Sequence, residues 1–503
     1  MNYLNIGSFL DLKSRKERII YRTLEILPGT FSLITLFSAF FFSFFAPFFV
    51  AIFIILFDLY WLLKVIYLAI HQISSFLKLR KNLKIDWKEK LKRFEDWKEV
   101  YHVVCLPFYK EGKEIVEGSI LALKNINYPK ERIILILAVE ERGGEKARKI
   151  ANEMKEKYSR NFFKFFVTFH PRNLPGEIPG KGANVAFAIE STKKEIENLG
   201  IKKENLLFSI FDIDTHPFPD YFSCLTYHYL KEGKPENIAF QPVPVYNNNI
   251  WQVPAFSRVV ATSNTFWQMI QQERPEQLVT YSSHSLPYSL FEKISYPKEV
   301  VSDDSRIFWK AFFYFDGNFK TLPLFYPVSM DAVLGKNLFS TILNQYRQQR
   351  RWAWGAENIP FVIFNFLKNK KIPFSTKIFH TFVIFEGFWS WATASLLIFS
   401  LGWLPLILGG ESFRKSVFGL NLPILTQNLM MAASVGILVC GALSFLLLPK
   451  IQNGFFKKAS LLLQWILLPL TLICFGCFPA LDAQIRLMLG KNLGFWCTEK
   501  FRK

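Results

Sequence analysis

Two aspartate pairs have the residue types and spacing for metal or acid–base chemistry. The first pair, Asp212 and Asp214, lies in FDIDTHP, directly after the apolar run LLFSI. Carboxylates at positions i and i+2, followed by a turn, can face one hard cation. Mg²⁺ and Mn²⁺ prefer such oxygen ligands together with substrate phosphates. Aspartate is also common where strands end, so the alternative is a strand tip that meets water.

The second pair, Asp303 and Asp304, opens a helical pattern in VVSDDSRIFWKAFF. A carboxylate at this position could act as a general base if a substrate hydroxyl came within hydrogen-bond reach. Carboxylates at a helix start also cap the helix and interact favourably with its dipole. The local sequence leaves both interpretations open.

A third candidate is QYRQQRRWAWGAEN, residues 345–358, which precedes a long apolar block. Arg351 could bind a diphosphate, and Trp352 could stack on a sugar face. A basic, tryptophan-rich helix is equally typical of an interfacial anchor, with its cations near lipid phosphates and its indoles near the headgroups. Spacing does not separate these two possibilities.

The loop GEIPGKG, residues 176–182, contains a Gly-Lys pair but does not match a P-loop. It has one residue too few, and Gly182 replaces the serine or threonine that would hold magnesium. The loop could still bring backbone N–H groups and Lys181 close to a nucleotide. The alternative is a turn that caps the helix beginning near Ala183.

The elements that must position these residues form an α/β pattern from residue 101 onward. Short apolar runs alternate with amphipathic helical stretches, which is typical of βαβ units around a mainly parallel sheet. The apolar runs are YHVVCLPFY, RIILILAVEE, FFKFFVTFH, LLFSIFDID and NIAFQPVPVY. Ligands bind such sheets beyond the carboxyl ends of the strands. Residues 107–111, Glu140 with Glu141, and Asp212 with Asp214 are therefore predicted to converge on one cleft.

Composition indicates a membrane part joined to a water-exposed part. Of 503 residues, 50% are hydrophobic, 54 are phenylalanine and 20% are charged. The net charge of +20 is compatible with nucleic acid or with an anionic membrane surface. Basic residues flank the first apolar block on both sides, which favours the membrane and predicts no nucleic-acid partner. The six cysteines form no disulfide or zinc framework, as expected for a reducing cytosolic face.

Long apolar blocks predict several membrane spans. Residues 31–70 are too long for a cleavable signal and hold two spans of roughly 20 residues, with a break at Ala46-Pro47. Flanking basic residues place residues from about 75 to 375 in the cytoplasm. Further blocks lie near 379–409, 425–448 and 459–480. Three more spans would place the basic C-terminal tail outside, so either the block at 379–409 hides a tight hairpin or the last block re-enters.

These patterns divide the chain into five segments. We predict a cytoplasmic N-terminal segment, two transmembrane helices, a cytoplasmic domain, three or four transmembrane helices and a basic tail. The respective ranges are 1–27, 28–75, 76–360, 361–480 and 481–503.

The motifs together resemble those of a known family. LPFYKE, AVEE, GKGAN, DID, SDD and QQRRW occur in the order and approximate spacing of membrane-embedded family 2 glycosyltransferases, which include cellulose synthase and hyaluronan synthase. The resemblance spans residues from about 100 to 360 and the flanking membrane helices. The QxxRW element is its most specific single match, whereas DxD or DD alone would be weak.

The resemblance implies a fold and a reaction. It implies a GT-A (Rossmann-like) cytoplasmic domain with a mixed, mainly parallel sheet, flanked by transmembrane helices. The donor would be a nucleotide-diphosphate sugar, often a UDP-sugar, and the acceptor a saccharide. Transfer would be inverting, and the enzyme could be a processive polysaccharide synthase. Non-processive transfer to a lipid-linked acceptor and a catalytically inactive scaffold are the alternatives.

The resemblance also assigns roles to residues, one motif at a time. Asp212 and Asp214 match the DxD that holds the donor diphosphate through Mg²⁺ or Mn²⁺. Asp304 matches the general base, and Asp303 replaces the usual glutamate before it. The remaining matches are Gln348, Arg351 and Trp352, which would position the donor diphosphate and the acceptor, and Glu140 or Glu141, where the family usually has aspartate near the nucleotide base.

The implied location follows from the spans and the family together. We expect an integral, multi-pass membrane protein with its catalytic domain in the cytoplasm, in the plasma membrane if the source is bacterial. Its partners would be the nucleotide sugar, the acceptor and the lipid bilayer.

Overall fold

A computed structural model describes residues 3–447 and 460–494 of the chain. Its centre is one eight-stranded sheet with the strand order β3-β2-β1-β4-β7-β6-β8-β5. The strands are β1 (Tyr101–Phe108), β2 (Ile133–Glu140), β3 (Lys164–His170), β4 (Leu206–Ile210), β5 (His216–Pro217), β6 (Ile238–Val245), β7 (Ser285–Pro287) and β8 (Lys320–Ser329).

The pairing of these strands confirms the predicted α/β class with a mixed, mainly parallel sheet. β1 pairs in parallel with both β2 and β4, β2 pairs in parallel with β3, and β6 pairs in parallel with β8. The short β7 is antiparallel to β4 and β6, and β5 is antiparallel to β8. Because β1, β2 and β4 run in one direction, their carboxyl ends meet at one edge, as the sequence pattern predicts.

Helices cover the sheet and continue into the long apolar part. In chain order they begin with α1 (Arg15–Phe45), α2 (Pro47–Asn82), α3 (Trp87–Leu91), α4 (Lys113–Lys124), α5 (Gly144–Tyr158), α6 (Lys181–Glu197), α7 (Tyr221–Lys231) and α8 (Ala255–Gln272). They continue with α9 (Asp303–Tyr314), α10 (Leu338–Ala353), α11 (Asn358–Lys368), α12 (Phe374–Phe399), α13 (Leu404–Leu408), α14 (Gly410–Arg414), α15 (Val417–Leu447) and α16 (Ser460–Met488).

Two hydrophobic cores lie on opposite faces of the sheet. Along β1, Val104 and Leu106 face the core formed with α4, α5 and α7. Val103 and Cys105 face the core formed with α6, α9 and α11. Successive side chains of a strand point to opposite faces, so a strand covered on both sides must be apolar throughout. This explains why β2 reads as an uninterrupted apolar run and is buried along its whole length.

Within residues 3–447 and 460–494, five helices are long and apolar enough to cross a membrane: α1, α2, α12, α15 and α16. The break between α1 and α2 falls at Ala46, directly before Pro47, because proline suits a helix start and disfavours helix in the preceding residue. The block at 379–409 contains most of one long helix, α12, followed by the short α13. It therefore does not supply two spans.

The two ends of α16 both contact elements that adjoin the sheet domain. Near its start, Gln464 accepts a hydrogen bond from Nε of Arg258 in α8 at 2.8 Å. Near its end, Asp482 lies 2.8 Å from a guanidinium nitrogen of Arg350 in α10. Between these ends, the Leu472 carbonyl accepts a 3.2 Å bond from Ser395, close to the end of α12. A π-helical segment at Leu472–Cys477 interrupts the regular helix next to this contact.

The re-entrant alternative for the last block stays a prediction, and the contacts show that α16 runs antiparallel to α12. The start of α12 also lies at the domain, since His380 packs against Trp309 and Phe312 of α9 with ring centroids 5.6 and 5.0 Å apart. α16 thus descends along α12 toward the end from which α12 starts. The middle of α16 also contacts a helix that adjoins the domain, because the rings of Phe475 and of Phe256 in α8 stack with their centroids 5.3 Å apart.

We predict that the two chain termini lie on the same side of the membrane. Fusions of a cytoplasm-dependent fluorescent protein to either terminus should both be fluorescent in bacterial cells, and phosphatase fusions that need export should both be inactive. A phosphatase-active fusion at the C-terminus alone would show that α16 crosses the bilayer.

Candidate active site

The carboxyl edge of the sheet brings three loops together. β4 continues beyond its last residue through a bond from the Phe211 N–H to the Cys105 carbonyl of β1 at 3.0 Å. The loop after β2 packs on the loop after β1 so closely that a Cβ on Gly143 would lie 2.1 Å from the Tyr109 carbonyl oxygen. The three strand ends therefore lie along one edge of the sheet.

Asp212 and Asp214 leave β4 in a turn, and their carboxylates have different environments. The turn is closed by the Thr215 N–H, which donates to the Asp212 carbonyl at 2.8 Å. Asp212 keeps 26% of its side chain exposed and accepts a 2.8 Å bond from the Ser282 hydroxyl. Asp214 is 1% exposed, and its Oδ2 accepts the Asp331 N–H at 2.9 Å. Asp212 faces the cleft, while Asp214 is bound to the loop after β8.

Lys181 connects the two aspartate pairs. Its Nζ lies 2.7 Å from Oδ1 of Asp212, and 2.8 and 3.0 Å from the two carboxylate oxygens of Asp304. Burial opposes the charge of this lysine, but Asp212 and Asp304 outweigh that effect and raise its pKa above the ordinary value. The side chain is only 9% exposed. A buried ammonium therefore compensates two carboxylates contributed by different elements.

Gly182 explains why the GKG loop has this sequence. A Cβ at this position would lie 2.4 Å from the Pro297 carbonyl oxygen and 2.9 Å from Cβ of Asp303. The start of α6 can approach the start of α9 only because residue 182 has no side chain. The glycine that argues against a P-loop thus has a packing function, and it brings Lys181 within reach of Asp304.

Asp303 and Asp304 occupy the first turn of α9 but differ in their contacts. Asp303 is buried, and its Oδ2 accepts a 3.0 Å bond from the Tyr296 hydroxyl. Burial, with the nearby charge of Asp304, raises the pKa of Asp303 to about 7. The Asp304 carboxylate is 24% exposed and faces Lys181 in the cleft. Asp304 therefore keeps its carboxylate in the cleft, whereas Asp303 does not.

Three residues near these aspartates have no recognisable signal in the sequence. His284 is buried with Nδ1 3.7 Å from Oδ1 of Asp304, and burial lowers its pKa to about 4, so its imidazole is neutral at neutral pH. Ser282 binds Asp212 as described. Tyr246, after β6, is partly buried; desolvation raises its pKa, Asp212 and Asp214 add to this effect, and Arg351 acts in the opposite direction. All three come from loops or strand ends distant in sequence.

The QxxRW helix, α10, adjoins the cleft through Tyr246. The rings of Trp352 and Tyr246 lie 6.2 Å apart between centroids, with planes at 45°. The carbonyl oxygen of the Gln348 side chain lies 3.4 Å from Nε2 of Gln345, and both glutamines are buried. One side of α10 therefore adjoins the cleft, and Arg350 of the same helix contacts α16.

The start of α10 carries a group of exposed apolar residues. Leu338, Phe339, Ile342 and Leu343 are exposed although the helix is otherwise polar. Residues at these spacings lie on one side of a helix. The catalytic and interfacial interpretations of this segment are therefore compatible, because different faces would perform them.

Glu140 and Glu141 lie in a separate cavity of about 270 Å³ at the ends of β2 and β3. Glu140 is buried and paired with Arg142. The Glu141 carboxylate lies 3.5 Å from Arg148, whose guanidinium carbon is 4.3 Å from the Phe169 ring centroid. This cavity combines carboxylates, a guanidinium and an aromatic face, but neither glutamate has a direct contact with Asp212 or Asp304 among the bonds described above.

Comparisons with known proteins give only distant structural likenesses. No protein-family model matches the chain, and no curated protein matches it in sequence. The mannosyltransferase PcManGT from Pyrobaculum calidifontis, in complex with GDP-Man and Mn²⁺, is 12% identical with a TM-score of 0.40, covering 86% of this chain and 97% of that one. S. aureus TarS 1-349 with UDP-GlcNAc is 12% identical with a TM-score of 0.36, covering 78% and 93%. At these scores the likeness carries no argument about function.

We predict that Gly182→Ala disrupts the cleft. The added methyl group overlaps a backbone carbonyl and α9, so the variant should lose about 1–3 kcal/mol of stability, as other overpacked sites do. Thermal unfolding of the detergent-solubilised protein measures the loss. Gly112→Ala is the matched control, because a Cβ there has nothing within 4 Å. Equal melting temperatures for the two variants would contradict the close-packing argument.

Proposed function

We propose that this protein is a membrane glycosyltransferase with a GT-A-type domain. It would transfer a sugar from a nucleotide-diphosphate donor to a hydroxyl of an acceptor. The observation that supports this most is the contact of Lys181 with both Asp212 and Asp304 at the carboxyl edge of the parallel strands. That arrangement places a carboxylate that could bind a metal and a candidate base on opposite sides of one buried cation.

The residues of the cleft fit a divalent cation that is shared with the donor. Asp212 presents its carboxylate to the cleft, and a bound metal would have to replace the Lys181 ammonium that lies 2.7 Å from its Oδ1. No group of three or more potential ligands from His, Cys, Asp and Glu occurs within residues 3–447 and 460–494. Mg²⁺ and Mn²⁺ bind with one or two carboxylates when substrate phosphates supply further oxygens. Asp212 and Asp214 are the proposed protein ligands, and bound metal would stabilise charge on the departing diphosphate.

Protein cations would assist the same leaving group. As the sugar–phosphate bond breaks, negative charge accumulates on the diphosphate, and preorganised cations stabilise it without reorganising at that moment. Lys181 and Arg351 are the proposed diphosphate-binding cations. Lys181 would exchange part of its contact with Asp212 for a phosphate oxygen.

Asp304 is the proposed general base. It would take the proton from the acceptor hydroxyl while that oxygen attacks the anomeric carbon and the diphosphate leaves from the opposite face. A single base suits direct displacement with inversion. The neutral His284 beside Asp304 adds no second positive charge that would weaken the carboxylate as a base.

The other predicted residues would set specificity and position. Gln348 and Trp352 would contact the acceptor, with Trp352 and Tyr246 as neighbouring aromatic surfaces for a sugar ring. The cavity at Glu140 and Glu141 would receive the nucleotide base. A planar base could stack beside the Arg148–Phe169 pair and donate hydrogen bonds to a carboxylate.

The membrane helices would receive the acceptor or the product. Their proposed arrangement is multi-pass, with the α/β domain in the cytoplasm, in the plasma membrane if the source is bacterial. The saccharide acceptor could be extended processively, or a single sugar could be added to a lipid-linked acceptor.

Product analysis tests this proposal. Membrane vesicles are incubated with a panel of radiolabelled UDP-, GDP- and TDP-sugars, with Mn²⁺, with Mg²⁺ and with chelator. We expect incorporation from one donor that chelator abolishes. Product size then separates a polymer from a single transfer. If the protein neither binds nor turns over any of these donors, the inactive-scaffold alternative is favoured.

We predict that Asp304→Asn lowers the rate of transfer by at least about 100-fold, the scale of general-base catalysis. Donor affinity should change little, because the donor contacts of Asp212 and Arg351 remain. Steady-state kinetics and donor titration measure both quantities. Asp316→Asn is the control, since that residue forms an exposed ion pair with Lys371. Loss of donor binding in Asp304→Asn would indicate a structural role instead.

Asp212→Asn should have the complementary effect. Removing one charged ligand should weaken metal-dependent donor binding by at least about 10-fold. Donor titration with and without Mn²⁺ measures this difference. The control is Asp220→Asn, which changes an exposed hydrogen bond with Asn127. Unchanged Mn²⁺ dependence in Asp212→Asn would remove this residue from the proposed metal site.

A further inference from the structure

The helix that carries Asp304 is capped by a residue from another element. The Ser302 side chain, at the N-cap of α9, makes no capping bond to its own helix. Instead, Oε1 of Glu357 accepts the N–H groups of Val301 at 3.0 Å and Ser302 at 2.8 Å, and the Ser302 hydroxyl at 2.7 Å. Glu357 thus satisfies backbone donors directly before α9 and fixes the Ser302 side chain.

The other oxygen of Glu357 holds the segment that follows the QxxRW helix. Oε2 accepts the indole N–H of Trp354 at 2.9 Å. Trp354 and Glu357 begin and end a 3₁₀ turn that directly follows α10. The carboxylate is 6% exposed and receives four hydrogen bonds, so its burial is well compensated. One buried group therefore joins the end of α10 to the start of α9.

The next residue reinforces this connection on the other side of Asp304. Nδ2 of Asn358 donates to the hydroxyls of Ser302 at 3.1 Å and Ser305 at 3.0 Å. Oδ1 of Asn358 accepts Nε of the buried Arg306 at 2.6 Å. Ser302 and Ser305, on either side of Asp304, are thus both hydrogen-bonded to the Glu357–Asn358 dipeptide.

We propose that Glu357 is a positioning residue that sets the distance between Asp304 and the QxxRW residues Arg351 and Trp352. This inference rests on the proposed function, because it assigns Glu357 a task within the same transfer reaction. Asp304 would deprotonate the acceptor that Trp352 positions, so the two elements must keep a constant spacing. Misplacement of reacting groups by about 1 Å can reduce a rate about 100-fold.

The sequence places this link close to the motif it serves. Glu357 and Asn358 follow Trp352 by five and six residues in RRWAWGAEN. A movement of α10 on donor binding would be transmitted to α9 through Oε1 and Oε2 of a single carboxylate. No contact between Asp304 and α10 is needed for this coupling.

Two substitutions break the link while leaving the cap in place. Trp354→Phe removes the indole donor and keeps an aromatic ring. Glu357→Gln keeps an oxygen that accepts the two backbone N–H groups but turns an amide toward the indole N–H. Either variant should lower kcat by about 10–100-fold. The donor KM should stay within about twofold, since the link contacts neither metal nor diphosphate ligands directly.

Trp87→Phe is the matched control for a structural effect. Trp87 is also buried, and its indole N–H donates a 2.9 Å bond to the Asn82 carbonyl, remote from α9. It should lower the melting temperature about as much as Trp354→Phe does, with kcat unchanged. Adding Trp354→Phe to Asp304→Asn should cause no further loss of kcat, because the base that the link positions is already absent.

The outcomes separate this inference from the proposed function. The inference is supported if kcat falls in both link variants. The same fall must be absent from Trp87→Phe, and Trp354→Phe must cause no further fall on the Asp304→Asn background. Unchanged kcat with a lowered melting temperature makes Glu357 a structural cap and overturns it. A further loss of kcat on the Asp304→Asn background also overturns it. Failure of the wild-type protein to transfer any sugar contradicts the proposed function itself, before any variant is compared.

Discussion

The ammonium of Lys181 is the contact on which the rest of the cleft depends. Asp212 and Asp304 belong to different elements, and without a cation between them their like charges would repel in a partly buried site. Lysine is costly to bury, so its position requires both carboxylates at once. The turn after β4, the start of α6 and the start of α9 are thereby held together. Gly182 makes this possible, because the two helix starts approach each other where a side chain would not fit.

A second set of buried contacts joins this cleft to the membrane helices. Glu357 and Asn358 fix the start of α9, and Arg350 fixes α10 to Asp482 of α16. At the same end of α16, the Leu487 carbonyl accepts a 3.0 Å bond from Arg22 of α1. The path from Asp304 to the first long apolar helix consists of charged or amide groups with bound partners. In the proposed function, an acceptor or product would move between the cleft and the bilayer along elements that are coupled in this way.

The site also separates its two proposed binding tasks in space. Phosphate and metal chemistry would occur at the end of β4, where Lys181, Asp212 and Asp304 meet. The cavity at Glu140 and Glu141 lies at the ends of β2 and β3, next to Arg148 and Phe169. Parallel strands present successive loops along one edge, so an elongated ligand such as a nucleotide sugar can be bound by neighbouring loops. Loop composition at each position can then change without disturbing the strands.

The sequence by itself determined five strands (β1 to β4 and β6), the long apolar helices and the edge at which Glu140, Asp212 and their loops meet, but not β5, β7 or β8. Hydrophobic periodicity records which faces are buried, and the carboxyl ends of parallel strands necessarily share an edge. The tertiary structure alone decided the bond between Lys181 and Asp304, 123 residues apart, and the different environments of Asp212 and Asp214. It likewise decided the proximity of His284 and Tyr246 to the cleft aspartates and the antiparallel course of α16 along α12. These contacts arise from packing between distant segments, which no local pattern encodes.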